Sequence, residues 1–266
     1  MEKKKLAIVG CGRLAEIVVD ALLNGLLPDY QLTGTYSRTE EKAKKLAEKY
    51  NASDSGRGCV PCSSIEALLL QKPDYIVESA SPDAMRELVL PALQNGSSIL
   101  TLSIGAFADE EFYKKVTDTA REHQVRVYLV SGAIGGFDVL RTVSLMGITE
   151  ASMATEKSPD SLKDTSVYKP ALQEEKQRVF EGNAKEAISL FPTKVNVAVA
   201  ASLATVGPAN IKVSVTSTPG FVGDDHRIEI NSEQVKAVVD VHSKTADIAG
   251  WSVVNTLRNI TSPIVF

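Results

Sequence analysis

The sequence predicts an α/β fold in which a doubly wound parallel sheet is followed by a second, α+β domain. Three observations support this prediction. Between residues 4 and 130, apolar strand-like segments alternate with helical patterns. A glycine-rich turn joins the first strand to the first helix. After residue 130 several apolar segments have a period of two, which is typical of a sheet with one covered face.

The first half repeats a strand–helix unit. Its predicted strands are KKLAIVG, YQLTGTYS, a short segment around Cys59–Pro61, PDYIVESA, SSILTLS and VRVYLV. Its helical patterns are RLAEIVVDALLN, TEEKAKKLAEKY with Thr39 as N-cap, SSIEALLL, PDAMRELVLPALQN and DEEFYKKVTDTAREHQ. Because the strands are rich in Val, Ile and Leu, the repeat predicts a parallel sheet with helices on both faces.

The second half, which we expect to begin near Ser131, mixes helices with alternating strands. Helical patterns are SGAIGGFDVLRTVSLMG, NAKEAISLF and KVNVAVAASLA, and alternating segments are NIKVSVTST, HRIEI and VKAVVDVHS. The segment KSPDSLKDTSVYKPALQEEKQ is predicted to be an exposed excursion. The last helix, TADIAGWSVVNTLRNI, has an apolar stripe of Ala246, Gly250, Val253, Leu257 and Ile260. A mostly apolar sheet here indicates a dimer interface.

Composition excludes several classes of protein. The 266 residues are 44% hydrophobic and 23% charged, as in ordinary globular proteins. A net charge of −4 and a pI near 5.5 argue against a surface for nucleic acid or anionic membranes. The longest apolar tract, VNVAVAASLATVG, is too short for a bilayer of about 30 Å. A cytoplasmic enzyme is therefore expected.

Three cysteines fit a reducing compartment, and two of them form a Cys-x-x-Cys pair, Cys59 and Cys62. Such a pair can be redox-active or bind zinc. Zinc needs roughly four ligands at suitable spacing, and the three histidines lie far away in the sequence. The favoured interpretation is a structural pair and no metal site.

Gly10-Cys11-Gly12-Arg13-Leu14-Ala15 is the G-x-G-x-x-A form of the dinucleotide fingerprint of a Rossmann domain. Its position at the first strand–helix junction favours a cofactor site over a plain glycine turn. Gly10, Gly12, Arg13 and Leu14 are the expected contacts. At the end of the second strand, Ser37 and Arg38 occupy the place where an acid would favour NAD. NADP is therefore favoured over NAD, unless Arg38 is only a solvated charge.

His226 lies in the alternating segment GDDHRIEI, on the same strand face as Ile228 and Ile230. It is either a packed core residue or a proton carrier. The charges of Asp224 and Asp225 would favour the imidazolium, whereas burial would oppose it.

Six segments in order resemble the L-aspartate dehydrogenase family. They are VESASPDAM, SIGAFAD, SGAIGGFDVL, FPTKVNVA, DDHRI and SKTA, and they span most of the chain. The resemblance implies a two-domain enzyme of NAD biosynthesis that interconverts aspartate with iminoaspartate or oxaloacetate plus ammonia, using NAD or NADP. The homodimer is expected from the pattern of the second-domain sheet alone. The resemblance also implies that the last helix, 246–266, returns to the dinucleotide domain, 1–130. Residues 131–245 then form the substrate-binding, catalytic and dimerisation domain.

The resemblance assigns roles to individual residues. It implies that His226 is catalytic, that Ala133 and Asn196 contact the nicotinamide end of the cofactor, and that Ala80 contributes to the same site. A dianionic substrate needs cations or N–H groups, for which Gly135 and Lys244 are the leading candidates. Gly136, Arg141 and Lys194 are further candidates, and each cation could instead be a solvated surface charge.

Three positions depart from the family pattern: Lys194 replaces an asparagine, Asp224 stands where asparagine is frequent, and residues 242–246 read HSKTA. Two other functions therefore stay open. One is an oxidoreductase for another small amino or oxo acid, as in homoserine dehydrogenase or dihydrodipicolinate reductase. The other is a non-catalytic nucleotide-binding module, against which the histidine and glycine segments argue.

Overall fold

The computed structural model describes residues 2–53, 58–191 and 196–266. The chain folds into two compact units. One contains the residues up to Val130 together with Ala249–Phe266, and the other contains Ser131–Ile248. The predicted fold class is confirmed: a parallel α/β unit and a second unit with a mixed sheet.

The first unit is a six-stranded parallel sheet with flanking helices. Its strands are β1 (Lys4–Val9), β2 (Tyr30–Tyr36), β3 (Val60–Cys62), β4 (Tyr75–Glu78), β5 (Ser98–Thr101) and β6 (Val127–Leu129). The helices are α1 (Arg13–Leu23), α2 (Glu40–Asn51), α3 (Ile65–Leu69), α4 (Pro82–Gln94) and α5 (Glu110–Glu122). Thr39 is the N-cap of α2, but its side chain makes no capping hydrogen bond.

The strand order is β3-β2-β1-β4-β5-β6. The chain therefore leaves β1 toward β2 on one side and reaches β4 on the other. In sheets of this kind, ligands bind where the order reverses, beyond the carboxyl ends of the strands. β1 itself is buried continuously from Leu6 to Val9, as expected for a strand covered on both faces.

The last helix, α9 (Asp247–Thr261), packs within the first unit from Ala249 onward. Tyr30 Oη donates a hydrogen bond of 2.8 Å to the carbonyl oxygen of Leu257. A Cβ at Gly250 would lie 2.8 Å from Ile17 Cδ1, so glycine allows the helix its close approach to α1. In the predicted stripe, Gly250, Val253 and Leu257 are buried and Ile260 is partly buried. Ala246, which precedes the helix, is exposed.

The second unit is a five-stranded sheet of order β11-β10-β7-β9-β8. Its strands are β7 (Glu150–Lys157), β8 (Gln177–Asn183), β9 (Lys212–Ser217), β10 (Asp224–Asn231) and β11 (Lys236–Ser243). Helices α6 (Phe137–Ser144), α7 (Ala184–Leu190) and α8 (Asn196–Leu203) pack against it. Neighbouring strands are antiparallel except β7 and β9, which are parallel. The sequence analysis did not predict β7 or β8.

The two faces of this sheet differ. The covered face carries the apolar residues, such as Met153, Val213, Ile228 and Ile230. On the opposite face the central strands carry small and charged side chains, among them Ser152, Ala154, Ser214, Arg227 and Glu229. The sequence analysis inferred a dimer interface from a mostly apolar sheet. That reasoning is wrong, because only one face is apolar and the protein's own helices cover it.

The segment predicted to be an exposed excursion is anchored at three points. Pro159, Leu162 and Leu172 are buried and lie in two short 3-10 helices, Pro159–Leu162 and Pro170–Gln173. Its first residue, Lys157, ends strand β7 and is only 8% exposed. Within the described ranges, no helix is long and apolar enough to cross a membrane.

Candidate active site

The glycine turn after β1 is built for close backbone approach. Gly10 has φ +91°, and a Cβ there would lie 2.7 Å from the backbone nitrogen of Ala80. Gly10 N–H donates to the carbonyl oxygen of Tyr36 at 2.9 Å, and Ser79 Oγ donates to the carbonyl oxygen of Gly10 at 2.9 Å. The carboxyl ends of β1, β2 and β4 therefore meet at one point, with Gly10 and Ala80 together.

The start of α1 follows directly. Gly12 is the N-cap, and nothing lies within 4 Å of the position that its Cβ would occupy. Arg13 is exposed, Leu14 is partly buried, and Ala15 is fully buried where the helix meets the sheet. An open approach to backbone N–H groups at a helix N-terminus fits a dinucleotide pyrophosphate.

Ser37 and Arg38 follow β2 beside this turn. Ser37 Oγ accepts a hydrogen bond from Thr39 N–H at 3.3 Å, and Arg38 is exposed. A cleft of about 340 Å³ lies between the start of α1 and helix α2. Its charged lining residues are Arg13, three lysines (Lys42, Lys45 and Lys49) and one acid, Glu16. This end of the sheet is thus basic although the whole chain is acidic.

Glu78, which the sequence analysis did not name, is a fully buried carboxyl group at the end of β4. Its Oε1 accepts hydrogen bonds from Ala80 N–H at 2.8 Å, Ser81 N–H at 3.2 Å and Ser103 Oγ at 2.9 Å. Its Oε2 accepts one from Thr101 Oγ1 at 2.6 Å. Burial raises the pKa of Glu78, and the four hydrogen bonds oppose that rise. The sequence signal that could have identified Glu78 is an acidic residue at the end of a predicted buried strand, in the segment VESAS.

In the second unit, polar side chains form a row across one end of the covered sheet face. Strand register places Ser243, Asp224, Lys157 and Ser217 side by side on β11, β10, β7 and β9. We call these four residues the polar row. His226 and Thr155 are neighbours in the next row on the same face. The rows beyond are apolar, so polar chemistry is confined to this end.

His226 is 2% exposed, and its Nδ1 lies 3.0 Å from Thr155 Oγ1. Burial and the charge of Lys157 lower the pKa of His226 from its ordinary 6.5 to about 4, while Asp224 opposes the shift. The imidazole is therefore neutral at neutral pH. Of the two opposing effects that the sequence suggested, burial dominates.

The two aspartates before His226 lie on opposite faces, since side chains alternate along a strand. Asp224 shares the face of His226, and its Oδ1 lies 2.6 Å from Lys157 Nζ. Asp225 points to the other face, where burial and Asp240 raise its pKa. The Oγ atoms of Ser217 and Ser243 are buried, and no hydrogen-bond partner for either occurs among the described residues.

The other expected residues of this unit are spread around the sheet. Ala133 and Gly135 are partly buried in the loop before α6, and Asn196 is partly buried as the first residue of α8. Lys244 is exposed, one residue beyond Ser243 of the polar row. Of the further candidates, Arg141 is exposed on α6 and Gly136 has φ +68° at its N-cap. Lys194 lies outside the described residues.

Cys59 and Cys62 are buried thiols at either end of β3, and they are not joined in a disulfide. Burial raises the pKa of Cys59 to about 12 and raises that of Cys62 as well. A thiol with a raised pKa is a poor nucleophile at neutral pH. In the part of the chain that the structure describes, no three potential metal ligands cluster.

Comparison with known proteins gives two family models and several relatives. Residues 10–130 match the NAD binding domain of homoserine dehydrogenase, and residues 138–260 match the C-terminal domain of aspartate dehydrogenase. An L-aspartate dehydrogenase of Methanocaldococcus jannaschii is 32% identical over 270 residues, covering 98% of each chain. That of Methanosarcina acetivorans is 34% identical over 272 residues, again covering 98% of each.

Solved structures agree. The crystal structure of aspartate dehydrogenase from Thermotoga maritima has a TM-score of 0.78 at 27% identity and covers the whole of both chains. Homoserine dehydrogenase from Thermoplasma acidophilum, with a TM-score of 0.58 at 13% identity, shares the fold. Full-length identity above 30%, together with both family models, shows that this chain belongs to the L-aspartate dehydrogenase family.

Proposed function

We propose that this protein is an NAD(P)-dependent L-aspartate dehydrogenase. The reaction converts L-aspartate, NAD(P)⁺ and water into oxaloacetate, ammonia, NAD(P)H and a proton, and it is reversible. The observation that carries the proposal is a buried His226 beside the polar row, in a chain whose full-length relatives are named L-aspartate dehydrogenase. Iminoaspartate, which forms before oxaloacetate in this reaction, would serve NAD biosynthesis.

The two parts of the chain have separate tasks. Residues 1–130 with helix 246–266 hold the dinucleotide through Gly10, Gly12, Arg13, Leu14 and Ala80. Their support is the tight turn at Gly10 and the open N-terminus of α1. Residues 131–245 bind the substrate, with Ala133 and Asn196 at the nicotinamide end, and Gly135 and Lys244 toward the carboxylates. When bound, the dinucleotide accepts a hydride from Cα of aspartate.

His226 handles the proton in the hydrolytic half of the reaction. Once the α-ammonium group has lost a proton, loss of hydride from Cα leaves iminoaspartate with a protonated imine, whose carbon is then attacked by water. A neutral imidazole removes a proton from that water and returns it to the amino group, and ammonia leaves as the remaining hydroxyl proton is released and the carbonyl forms. Thr155 Oγ1, 3.0 Å from Nδ1, orients the ring. A depressed pKa keeps the ring in the proton-accepting form throughout the neutral range.

NADP is the proposed preferred cofactor. Ser37 and Arg38 stand where an acid would bind the ribose 2′-hydroxyl, and Arg13, Lys42 and Lys45 line the neighbouring cleft. Guanidinium and ammonium groups suit the 2′-phosphate that distinguishes NADP from NAD. No acidic residue occurs between Tyr30 and Thr39 to favour the free hydroxyl.

We also propose a homodimer that works in the cytoplasm. Free thiols at Cys11, Cys59 and Cys62 support a reducing compartment. The uncovered face of the second unit's sheet, with small residues on its central strands, supports pairing with a second copy.

A scan of substrates tests the function. The purified protein is given NADP or NAD with each of a panel of amino acids, and NADPH or NADH with 2-oxo acids plus ammonium. The expected result is turnover of aspartate and of oxaloacetate plus ammonium. Turnover of homoserine or dihydrodipicolinate instead would favour the other oxidoreductase function. Tight nucleotide binding without any turnover would favour a regulatory module.

A further inference from the structure

The polar row contains an ion pair, between the buried Lys157 and the partly exposed Asp224, that the mechanism above does not use. Lys157 is 8% exposed and ends a central strand, so its ammonium group is held where few lysines occur. The ammonium group of Lys157 has three N–H donors, and among the described residues their acceptor is Asp224 Oδ1, 2.6 Å from Nζ. Such a partly buried ion pair contributes little net stability, because desolvation offsets the attraction. Its presence beside His226 therefore calls for a reason other than stability.

The hydroxyl groups at the two sides of the pair lack partners. Ser217 follows Lys157 in the row and Ser243 follows Asp224 on the other side. Both Oγ atoms are buried, and none of the described residues hydrogen-bonds to them. Buried hydroxyls are normally satisfied, because a hydroxyl that has left water without gaining a partner destabilises the folded chain. Two orphan hydroxyls, one on each side of the ion pair, indicate a polar ligand.

We propose that Lys157 and Asp224 bind the zwitterionic end of the amino-acid substrate, an inference that rests on the proposed function. Lys157 Nζ, assisted by the hydroxyl group of its neighbour Ser217, takes the α-carboxylate. Asp224, whose side chain is 38% exposed and thus reachable, takes the α-ammonium group and the imine nitrogen that replaces it.

Charge balance favours this assignment. Lys157 and Asp224 sum to zero charge, and His226 is neutral. An α-amino acid end also carries one positive and one negative charge, so binding adds no net charge to a buried site. Ammonium and carboxylate on one carbon match a lysine and an aspartate whose charged atoms lie 2.6 Å apart. The second carboxylate of aspartate is left to residues outside the row.

Steady-state kinetics of two variants separates the two contacts. Lys157→Met removes the charge with similar volume and should raise KM for both aspartate and oxaloacetate by ~10–100-fold. Asp224→Asn should raise KM for aspartate and for ammonium by about 10-fold, while KM for oxaloacetate changes by less than about twofold. KM for NADPH should change in neither variant, since neither residue belongs to the dinucleotide turn.

Lys212→Met is the matched control. Lys212 is also a terminal residue of a strand in this sheet, the first of β9, and it pairs with an acid, Glu150, but both side chains are exposed. Its kinetic constants should equal those of the unmodified protein. If Lys157→Met does not fold, Asp224→Asn still tests the proposal, because KM should rise for ammonium but not for oxaloacetate.

The proposal is overturned if KM for aspartate stays within about twofold in both variants. It is also overturned if the KM values for aspartate, oxaloacetate, ammonium and NADPH all rise together, which would mark a purely structural pair. Inactivity of the unmodified protein toward aspartate would instead reject the proposed function itself.

Discussion

At the scale of single residues, the environment of His226 determines what it can do. The ring is 2% exposed and bonded to Thr155, and it lies one row from the Lys157–Asp224 pair. A residue that only fills the core could be an apolar ring. An imidazole that is hydrogen-bonded and lies at the polar end of the sheet is instead placed for proton transfer. Two consequences can be measured separately, one on turnover and one on stability.

Replacing His226 with Ala should lower kcat by about 100-fold or more, the range for a lost general acid–base. Binding of NADP(H) should not change, because His226 is not among the residues proposed to hold the dinucleotide. Steady-state kinetics and a fluorescence titration with NADPH measure the two quantities. Unchanged kcat in a folded variant would return His226 to a packing role.

His226 should also make stability depend on pH. Its pKa is about 4 in the folded chain and near its ordinary 6.5 in the unfolded chain. Between these values the unfolded chain binds the extra proton. Stability is therefore complete above about pH 6.5 and is lost as pH falls toward 4, by up to about 3 kcal/mol.

Urea unfolding at neutral pH and near pH 4.5 measures this loss. In the variant His226→Gln, which keeps a hydrogen-bonding side chain but does not titrate, the loss between the two pH values should be smaller. Equal losses in both proteins would show that other groups cause the pH dependence.

Arg38 tests the cofactor preference. Arg38→Ala should raise KM for NADP by ~10-fold or more, since a charge-assisted contact to phosphate contributes about 1.5–3 kcal/mol. KM for NAD should change little, because NAD lacks the 2′-phosphate. Lys115→Ala, which removes an exposed cation from α5, is the control. Equal effects of Arg38→Ala on both cofactors would mean that the arginine does not contact this phosphate.

Some site residues could be predicted from sequence and others could not, for a physical reason. The turn at Gly10 is local: a positive φ and a close neighbour require glycine whatever the distant sequence is. Lys157 can be recognised as a site residue only from its contact with Asp224, which is 67 residues away in the sequence. The unpaired hydroxyl groups of Ser217 and Ser243 can be identified only when the register of four strands is known. Sequence alone gives no register across such distances.

At the scale of secondary-structure elements, Glu78 joins three segments around the dinucleotide turn. Its carboxyl group accepts hydrogen bonds from Ala80 and Ser81 at the start of α4, and from Thr101 and Ser103 at the end of β5. Ala80 in turn packs against Gly10. The position of the glycine turn thus depends on one buried carboxylate.

Glu78→Ala would leave four donors without their acceptor, of which the hydroxyl groups of Thr101 and Ser103 are buried, and we expect a loss of at least about 3 kcal/mol in the free energy of unfolding. Glu78→Gln keeps an oxygen for three of them and should lose about 1–2 kcal/mol. Urea unfolding measures both. KM for NADP(H) should rise in Glu78→Gln while KM for aspartate does not. If both variants matched the unmodified protein, the carboxylate would not position the turn.

Among the elements, the first unit could be predicted almost completely, because each strand is a short apolar run between turn signals. β7 could not. Its covered side carries Ala151, Met153, Thr155 and Lys157 in place of the Val and Ile that mark strands. It forms a strand because β10 and β9 pair with it on both sides, so tertiary pairing outweighs weak local preference.

At the scale of the whole molecule, the open face of the second unit's sheet is the surface to explain. Small side chains, Ser152, Ala154 and Ser214, lie on its central strands, and ion pairs such as Arg227–Asp240 lie on the same face. Small side chains let another sheet approach to about 10 Å. A second copy of the chain meets these requirements by symmetry, because the same patch serves both partners.

Sedimentation equilibrium should therefore give about twice the chain mass of 28.6 kDa. Ala154→Glu should give the single chain mass. In the isolated chain the new carboxylate lies opposite Arg227, a compatible cross-strand pair, so the fold is preserved. In the dimer the same carboxylate would be desolvated at the centre of the interface. Lys115→Glu, on the surface of α5, should remain dimeric. A dimer that survived Ala154→Glu would place the interface elsewhere, and a single chain mass for the unmodified protein would contradict the homodimer.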